Sequence, residues 1–394
     1  MSFVKKRGKS WRARYRGPDG RERSKSFGKK IEAERWLARQ ETLMASGDWT
    51  DPALGRVPFG SYAQDWLNGR SDLKPKTRFQ YQYMLDRYVV PTWGNVQLAK
   101  ITFEGVSRWV TQLVESGTGP SAVRQSVFVL SAALDHAVRA RRIRANPARG
   151  IGLPKAPRRD YVILSHGQVR QLAAEADGLR TEETKGQSRD GLVITFLAYT
   201  GLRWGEMIAL RARDIDLNRR RVDVRRAFSD VGGRLDLGMP KSSRSLRTVP
   251  LPAFLAAALR EHLEGKDATA LVFTTPSGTP LRQANWRRTV FVPACERAKV
   301  PEGFRMHDLR HTAASLMIQA GYPPKGIQEI LGHASITTTL DLYGHLFPGD
   351  LDRWVDQLDA AAEQSRTQSR AAKLRPVDDE DPGDGSAGVS ETGS

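Results

Sequence analysis

Two runs without apolar periodicity, GDWTDPALGRVPFG and RANPARGIGLPKAPRRD, most constrain how this chain can fold, because Pro and Gly at that density continue neither a helix nor a strand. They divide it into three patterned blocks, 1–50, 61–145 and 161–365, with linkers at 51–60 and 146–160. A length of 394 residues also exceeds one core of ordinary size, so a multi-domain protein is expected.

Each block has its own period. In KSWRARYRGPDGRERSKSF, Trp11, Ala13 and Tyr15 alternate with Arg12, Arg14 and Arg16, as in a strand with one buried face, and GPDG supplies a turn to a returning strand. KKIEAERWLARQETLMASG then reads as a short amphipathic helix through Ile31, Trp36 and Leu37, stopped at Gly47. The expected unit is a small α+β domain, a three-stranded sheet packed on one helix; its Arg-rich face suits a DNA groove, the plain alternative being a solvated hairpin. Across 61–145 the apolar residues recur at helical spacing in four segments, which predicts an all-α four-helix domain. The third block mixes helices with the β-rich RRRVDVRRAF and SLRTVPL, giving an α+β, mainly helical domain. From 366 to 394 acidic and small residues prevail, and a disordered acidic tail is expected.

A net charge of +18 strains a compact fold unless a polyanion balances it, which makes nucleic acid the leading partner. A GC-rich coding sequence would also enrich Arg, Ala and Gly. The single cysteine, Cys295, allows no internal disulfide, and no apolar run is long enough for a bilayer span or a secretory leader, so a cytoplasmic protein without a membrane partner is expected.

Four short runs carry the chemistry. In YTGLRWGEMIAL an apolar helix ends at Thr200-Gly201, and Arg203 is followed three residues later by Glu206, a carboxylate placed to hold a guanidinium for bidentate phosphate binding; such a pair is more commonly a surface ion pair. In MPKSSRSLRTVPL, Lys241 follows Pro240 between two expected strands, with Arg244 and Arg247 nearby; it either faces water or reaches a leaving oxygen as a general acid. In FRMHDLRHTAASLMIQAG a core stripe of Leu309, Ala313, Leu316, Met317 and Ala320 leaves His307 and His311 on the opposite face, with Arg310 at its edge. Two histidines four apart could bind a metal, but an adjacent arginine would repel it and the zinc-protease glutamate is missing, so phosphate donors are the better account. In IQEILGHASITTTLDLYGHL, Tyr343 lies ten residues after His333. A free phenol has a pKa of roughly 10, so a nucleophilic tyrosine needs cations or a base around it; otherwise it simply packs.

The ordered runs T-G-L-R-x-G-E, P-K-S, H-x-L-R-H and L-G-H followed ten residues later by Tyr, between Thr200 and Tyr343, resemble the catalytic signature of the tyrosine recombinases, the group of the phage integrases. The small basic unit and helical unit before them resemble the arm-binding and core-binding domains of integrases. The resemblance implies that Tyr343 attacks a scissile phosphodiester, forming a 3′-phosphotyrosyl link and freeing a 5′-hydroxyl, with no ATP, metal or other cofactor. Arg203 and Arg310 would clamp the non-bridging oxygens, Lys241 would protonate the leaving oxygen, His307 would act as acid or base, and His333 would donate to the phosphate. Glu206 and His311 would support them. DNA contacts are expected from Arg12, Arg14 and Arg16 at arm sites, and from Arg158, Arg159 and Arg244. It further implies double-stranded core and arm attachment sites, a homotetramer on DNA, and room for a directionality factor and a host bending protein, in a bacterial cytoplasm or nucleoid. Rival readings are a non-catalytic DNA-binding regulator, a type IB topoisomerase and, more distantly, a His-metal hydrolase.

Overall fold

The computed structural model describes residues 2–47, 49–155, 161–179, 189–239, 246–347 and 351–373, the last stretch with side chains at 355–367 only. Lys241, Arg158, Arg159 and Arg244 lie outside the described residues.

Strands β1 (Phe3–Arg7), β2 (Ser10–Arg16) and β3 (Glu22–Phe27) form an antiparallel sheet in that order, backed by α1 (Lys30–Ala45). The period of two in β2 sends Ala13 and Tyr15 into the core and Arg12, Arg14 and Arg16 to the other face. Ala33 and Leu37 fill the core from α1, whereas Ile31, expected on that face, is 50% exposed, because two residues before Ala33 is about half a helical turn away. Residues 49–51 also close this core: the Trp49 indole donates to the Tyr15 hydroxyl at 3.1 Å, and Asp51 holds Arg23 at 2.6 Å.

A second core gathers α2 (Phe59–Asn68), α3 (Pro75–Met84), α4 (Val90–Trp93), α5 (Phe103–Glu115) and α6 (Pro120–Arg139). Helix α2 starts inside the stretch read as the first linker, with Phe59 fully buried. Between α3 and α4 the chain runs through a π-helical turn, Leu85–Val89, immediately before Pro91. A proline inside a helix lacks the N–H and collides with the carbonyl four residues back; a widened turn relieves that conflict. The stretch read as the second linker is anchored at its start, where Asn146 is buried and donates to Ser131 and Asp135, and Ile151 and Leu153 pack on the helical core.

The third core is built on α8 (Asp190–Thr200), which is apolar on nearly all sides and packs between α7 (His166–Asp177) and α13 (Asp308–Gln319). Short α9 (Trp204–Met207) leads to the antiparallel sheet β4 (Ile215–Asp216), β5 (Arg221–Val224) and β8 (Arg247–Pro250). Between β5 and β8 stands a hairpin, β6 (Ala227–Val231) and β7 (Arg234–Gly238), that the sequence reading, with two strands around Lys241, did not anticipate. Helix α10 (Ala253–Leu263) follows, then α11 (Gln283–Trp286) and α12 (Val292–Arg297), joined by another π-helical turn that again precedes a proline, Pro293. Helix α13 is not two-faced: residues 308–318 are all buried, polar ones included, while Ala320, expected in the core, is exposed. Helices α14 (Pro324–Leu331) and α15 (Ile336–Tyr343) cover it, and α16 (Leu351–Lys373) ends the described chain. Helix α16 overruns the tail expected from 366, since Ala, Arg, Gln and Lys in SRTQSRAAK are good helix formers. No helix among the described residues is long and apolar enough to cross a membrane.

Candidate active site

The site is assembled at helix ends. Helices α8 and α14 each terminate at a glycine in the left-handed region, Gly201 (φ +64) and Gly332 (φ +66), which leaves carbonyls at both C-termini without intrahelical partners. Arg310, 4% exposed on α13, bridges the two ends: one Nη donates to the Gly201 carbonyl and the other to the Leu331 carbonyl. The negative ends of two helix dipoles therefore hold this cation. A side chain at either glycine would be strained by the positive φ, and its Cβ would crowd Leu331 at 2.5 Å from Gly201 or the Arg247 side chain at 3.1 Å from Gly332.

Arg247 enters from β8, donating through Nε to the Ile330 carbonyl at 2.6 Å and through Nη2 to Glu206 Oε2 at 2.8 Å. Glu206, 3% exposed, also accepts from Arg203 Nη1 at 2.9 Å and, closing the first turn of α9, from the Arg203 backbone N–H at 3.0 Å. Burial alone would raise the Glu206 carboxyl, but the Arg247 hydrogen bonds, with the charges of Arg247 and Arg203, overcome it and hold the group at about 2. Among the described residues, three guanidinium groups thus gather around the Glu206 carboxylate in a largely buried place. Arg310 registers their proximity: burial, then repulsion from Arg203, brings its guanidinium down to about 9.

Around it stand the histidines and the phenol. Tyr343, the last residue of α15, is 1% exposed, and its hydroxyl lies 2.8 Å from His311 Nδ1. Burial pushes the phenol up to about 12, against the opposing charge of Arg310. His311 stacks on Tyr161 with ring centroids 3.8 Å apart, and His307 meets it edge-on at 5.4 Å. His333, directly after Gly332, has Nδ1 2.9 Å from the Thr339 hydroxyl. Burial is the main cause that lowers all three imidazoles, His311 and His333 to about 4, with neighbouring cationic side chains adding to it.

Of the residues singled out from sequence, Arg203, Glu206, His307, Arg310, His311, His333 and Tyr343 converge here. Arg12, Arg14 and Arg16 lie on the first sheet, where Arg12 donates to Ser24 at 3.1 Å and Arg14 pairs with Glu22 at 2.9 Å. Arg247, noticed but not selected, is central. Its signal was available: on a strand it shares a face with Val249, so an arginine points toward a core and needs a buried partner. Tyr161 gave no signal, since only the fold brings it to His311.

Three family descriptions match the chain: the phage integrase family at residues 163–349, the phage integrase N-terminal domain at 4–46, and the phage integrase N-terminal SAM-like domain at 58–114. The integrase of Mycobacterium phage L5 is 31% identical over 328 residues, covering 79% of this chain and 83% of that protein. In fold, the chain is similar to the Tn1549 transposon integrase solved with transposon right end DNA, at a TM-score of 0.63 and 20% identity over 78% of this chain and 100% of that one. It is also similar to the lambda integrase solved as a tetramer on a Holliday junction, at a TM-score of 0.55 and 18% identity over 85% and 96%. The signature order, the three-part fold and these likenesses together show that the chain belongs to the phage integrase family and is a tyrosine site-specific recombinase.

Proposed function

We propose that the chain cuts and rejoins double-stranded DNA at attachment sites through a covalent 3′-phosphotyrosyl bond to Tyr343, integrating and excising a mobile element. One observation carries the reading: Arg203, Arg310 and Arg247 gather around Glu206 beside a phenol. A phosphodiester is an anion suited to guanidiniums gathered in this way. Arg203, whose side chain is 40% exposed, and Arg310 take the non-bridging oxygens and stabilise the phosphorane as charge develops. Arg247 and Glu206 keep Arg203 in place. With the Thr339 hydroxyl on Nδ1, His333 offers its Nε2–H to the phosphate. Lys241 protonates the leaving 5′-oxygen, and His307 acts as acid or base.

The remaining assignments follow the same reading. The helical unit takes core sites, the Arg12, Arg14 and Arg16 face takes arm sites, and Arg158, Arg159 and Arg244 hold backbone phosphates. Four protomers on two duplexes exchange strands, a stoichiometry supported by the likeness in fold to a lambda integrase tetramer. The exposed Val355 and Leu358 of α16 dock on a neighbour. The protein works in a bacterial cytoplasm, with a directionality factor and a bending protein as accessories.

The test is a nicked suicide substrate carrying a core site. The wild type accumulates a protein–DNA adduct mapping to Tyr343; Tyr343→Phe binds the same DNA and gives none. An adduct formed by the Phe variant defeats the assignment.

A further inference from the structure

Three rings from three places in the chain meet at the phenol: Tyr343 from the end of α15, His311 from the second turn of α13, and Tyr161 from the strand of chain that enters the third unit. The Leu164 N–H donates to the Thr312 hydroxyl at 3.2 Å, so residues 161–164 are tied to the helix that carries His311. His311 is the imidazole in hydrogen-bond contact with the phenolic oxygen; His307 touches that imidazole edge-on.

We propose that His311 accepts the phenol proton as Tyr343 attacks phosphorus, and that Tyr161 is the positioning residue that fixes the plane of its ring. The inference rests on the reading of Tyr343 as nucleophile. The step balances as follows. The Tyr343 O–H bond breaks and its proton passes to His311 Nδ1 while the phenolic oxygen bonds phosphorus; the phosphorus–O5′ bond breaks, and Lys241 supplies the proton that the leaving oxygen takes. Rejoining reverses both transfers.

The surroundings suit an acceptor. Facing His311 are His307, Asp308 and Arg310 on its own helix, Arg305 before it, Tyr161 on one flank, Tyr343 from α15, and His333 beyond α14. Burial first, then the His307 charge, holds the imidazole down to about 4, so it is neutral at working pH, and in its Nε2–H tautomer Nδ1 accepts from the phenol. An incoming phosphate reverses part of that balance, since its negative charge favours a protonated ring. The phenol becomes more acidic as its oxygen bonds phosphorus, so donor and acceptor change in the directions the transfer needs. In the free chain the pair is shielded from water, which keeps the hydroxyl protonated until substrate arrives.

The experiment measures single-turnover adduct formation on the nicked core-site substrate from about pH 6 to about pH 9. Removing a general base costs about a hundredfold or more. His311→Gln and His311→Asn are therefore expected to bind DNA like the wild type, form adduct about a hundredfold more slowly near pH 7, and gain about tenfold per pH unit as hydroxide makes the phenolate instead. The wild type stays nearly flat. Replacing Tyr343 by 3,5-difluorotyrosine, a more acidic phenol, restores much of the rate in the His311→Gln background. Tyr161→Phe keeps the stack and the flat profile, while Tyr161→Ala slows the reaction and brings back part of the pH dependence. A wild-type rate in His311→Gln, or a loss equal at every pH and untouched by the fluorinated phenol, overturns the proposal. An adduct from Tyr343→Phe would instead defeat the reading beneath it.

Discussion

The arginines of the first sheet and those of the third core are held in opposite ways. Arg12, Arg14 and Arg16 stand on one face of β2, two of them with light partners, Ser24 and a half-exposed Glu22. Arg310 is buried and the Arg247 side chain is 6% exposed, and each is fixed by at least one main-chain carbonyl at the C-terminus of α14. Exposed guanidiniums keep rotamer freedom and can follow a phosphate backbone; buried ones have lost that freedom before substrate arrives and need not reorganise in the transition state. Under the proposed function, charge of one sign would serve two ends, affinity at the sheet and rate at the core.

That contrast can be broken by substitution. Arg310→Lys should have the largest effect: an ammonium has three donors from one nitrogen, so bridging two carbonyls would leave at most one and no planar fork for phosphate, and adduct formation should fall on the order of a thousandfold while core-site binding changes little. A parallel loss of binding would place Arg310 with the sheet arginines. Glu206→Gln removes the carboxylate that Arg203 and Arg247 share and should lower unfolding free energy by about 3 kcal/mol, read from denaturant melts. The same carboxylate sets an acid limit. Its folded value, about 2, lies below the ordinary carboxylate range, so its contribution is fully present above the unfolded value and is lost as pH falls from about 4.5 through about 2; the Gln variant should lose less stability over that window. Smallest, replacing Arg12, Arg14 and Arg16 together by Gln should leave core cleavage intact and flatten the salt dependence of arm-site binding, each phosphate contact contributing about 0.9 to the slope. An unchanged slope would remove the sheet from the DNA interface.

Much of the site was legible because its residues fall in short runs with fixed spacing: Arg203 with Glu206, His307 with Arg310 and His311, His333 ahead of Tyr343. The alternation in β2 likewise showed which face would carry arginines. What stayed hidden depends on contacts between distant segments. Arg247 becomes central only when β8 lies beside α14, and Tyr161 only when the chain before α7 crosses α13. The stripe drawn on α13 misjudged Ala320, because a helix buried on every side has no solvent face for periodicity to reveal. The β6–β7 hairpin was missed although Gly232-Gly233 and the alternation of Leu235 and Leu237 signal a turn and a strand; its strands are only five residues each.

The bridging of Arg310 has an evolutionary corollary. Its two acceptors are peptide oxygens, which no point mutation deletes, so side chains around them can drift while the guanidinium keeps its seat. Register is the vulnerable quantity. One residue inserted into or removed from α14 would rotate its final carbonyls by about 100° and take the seat away. Lineages built on this plan should therefore vary in the side chains near Leu331, the two glycines apart, and hardly at all in the count of residues leading to it.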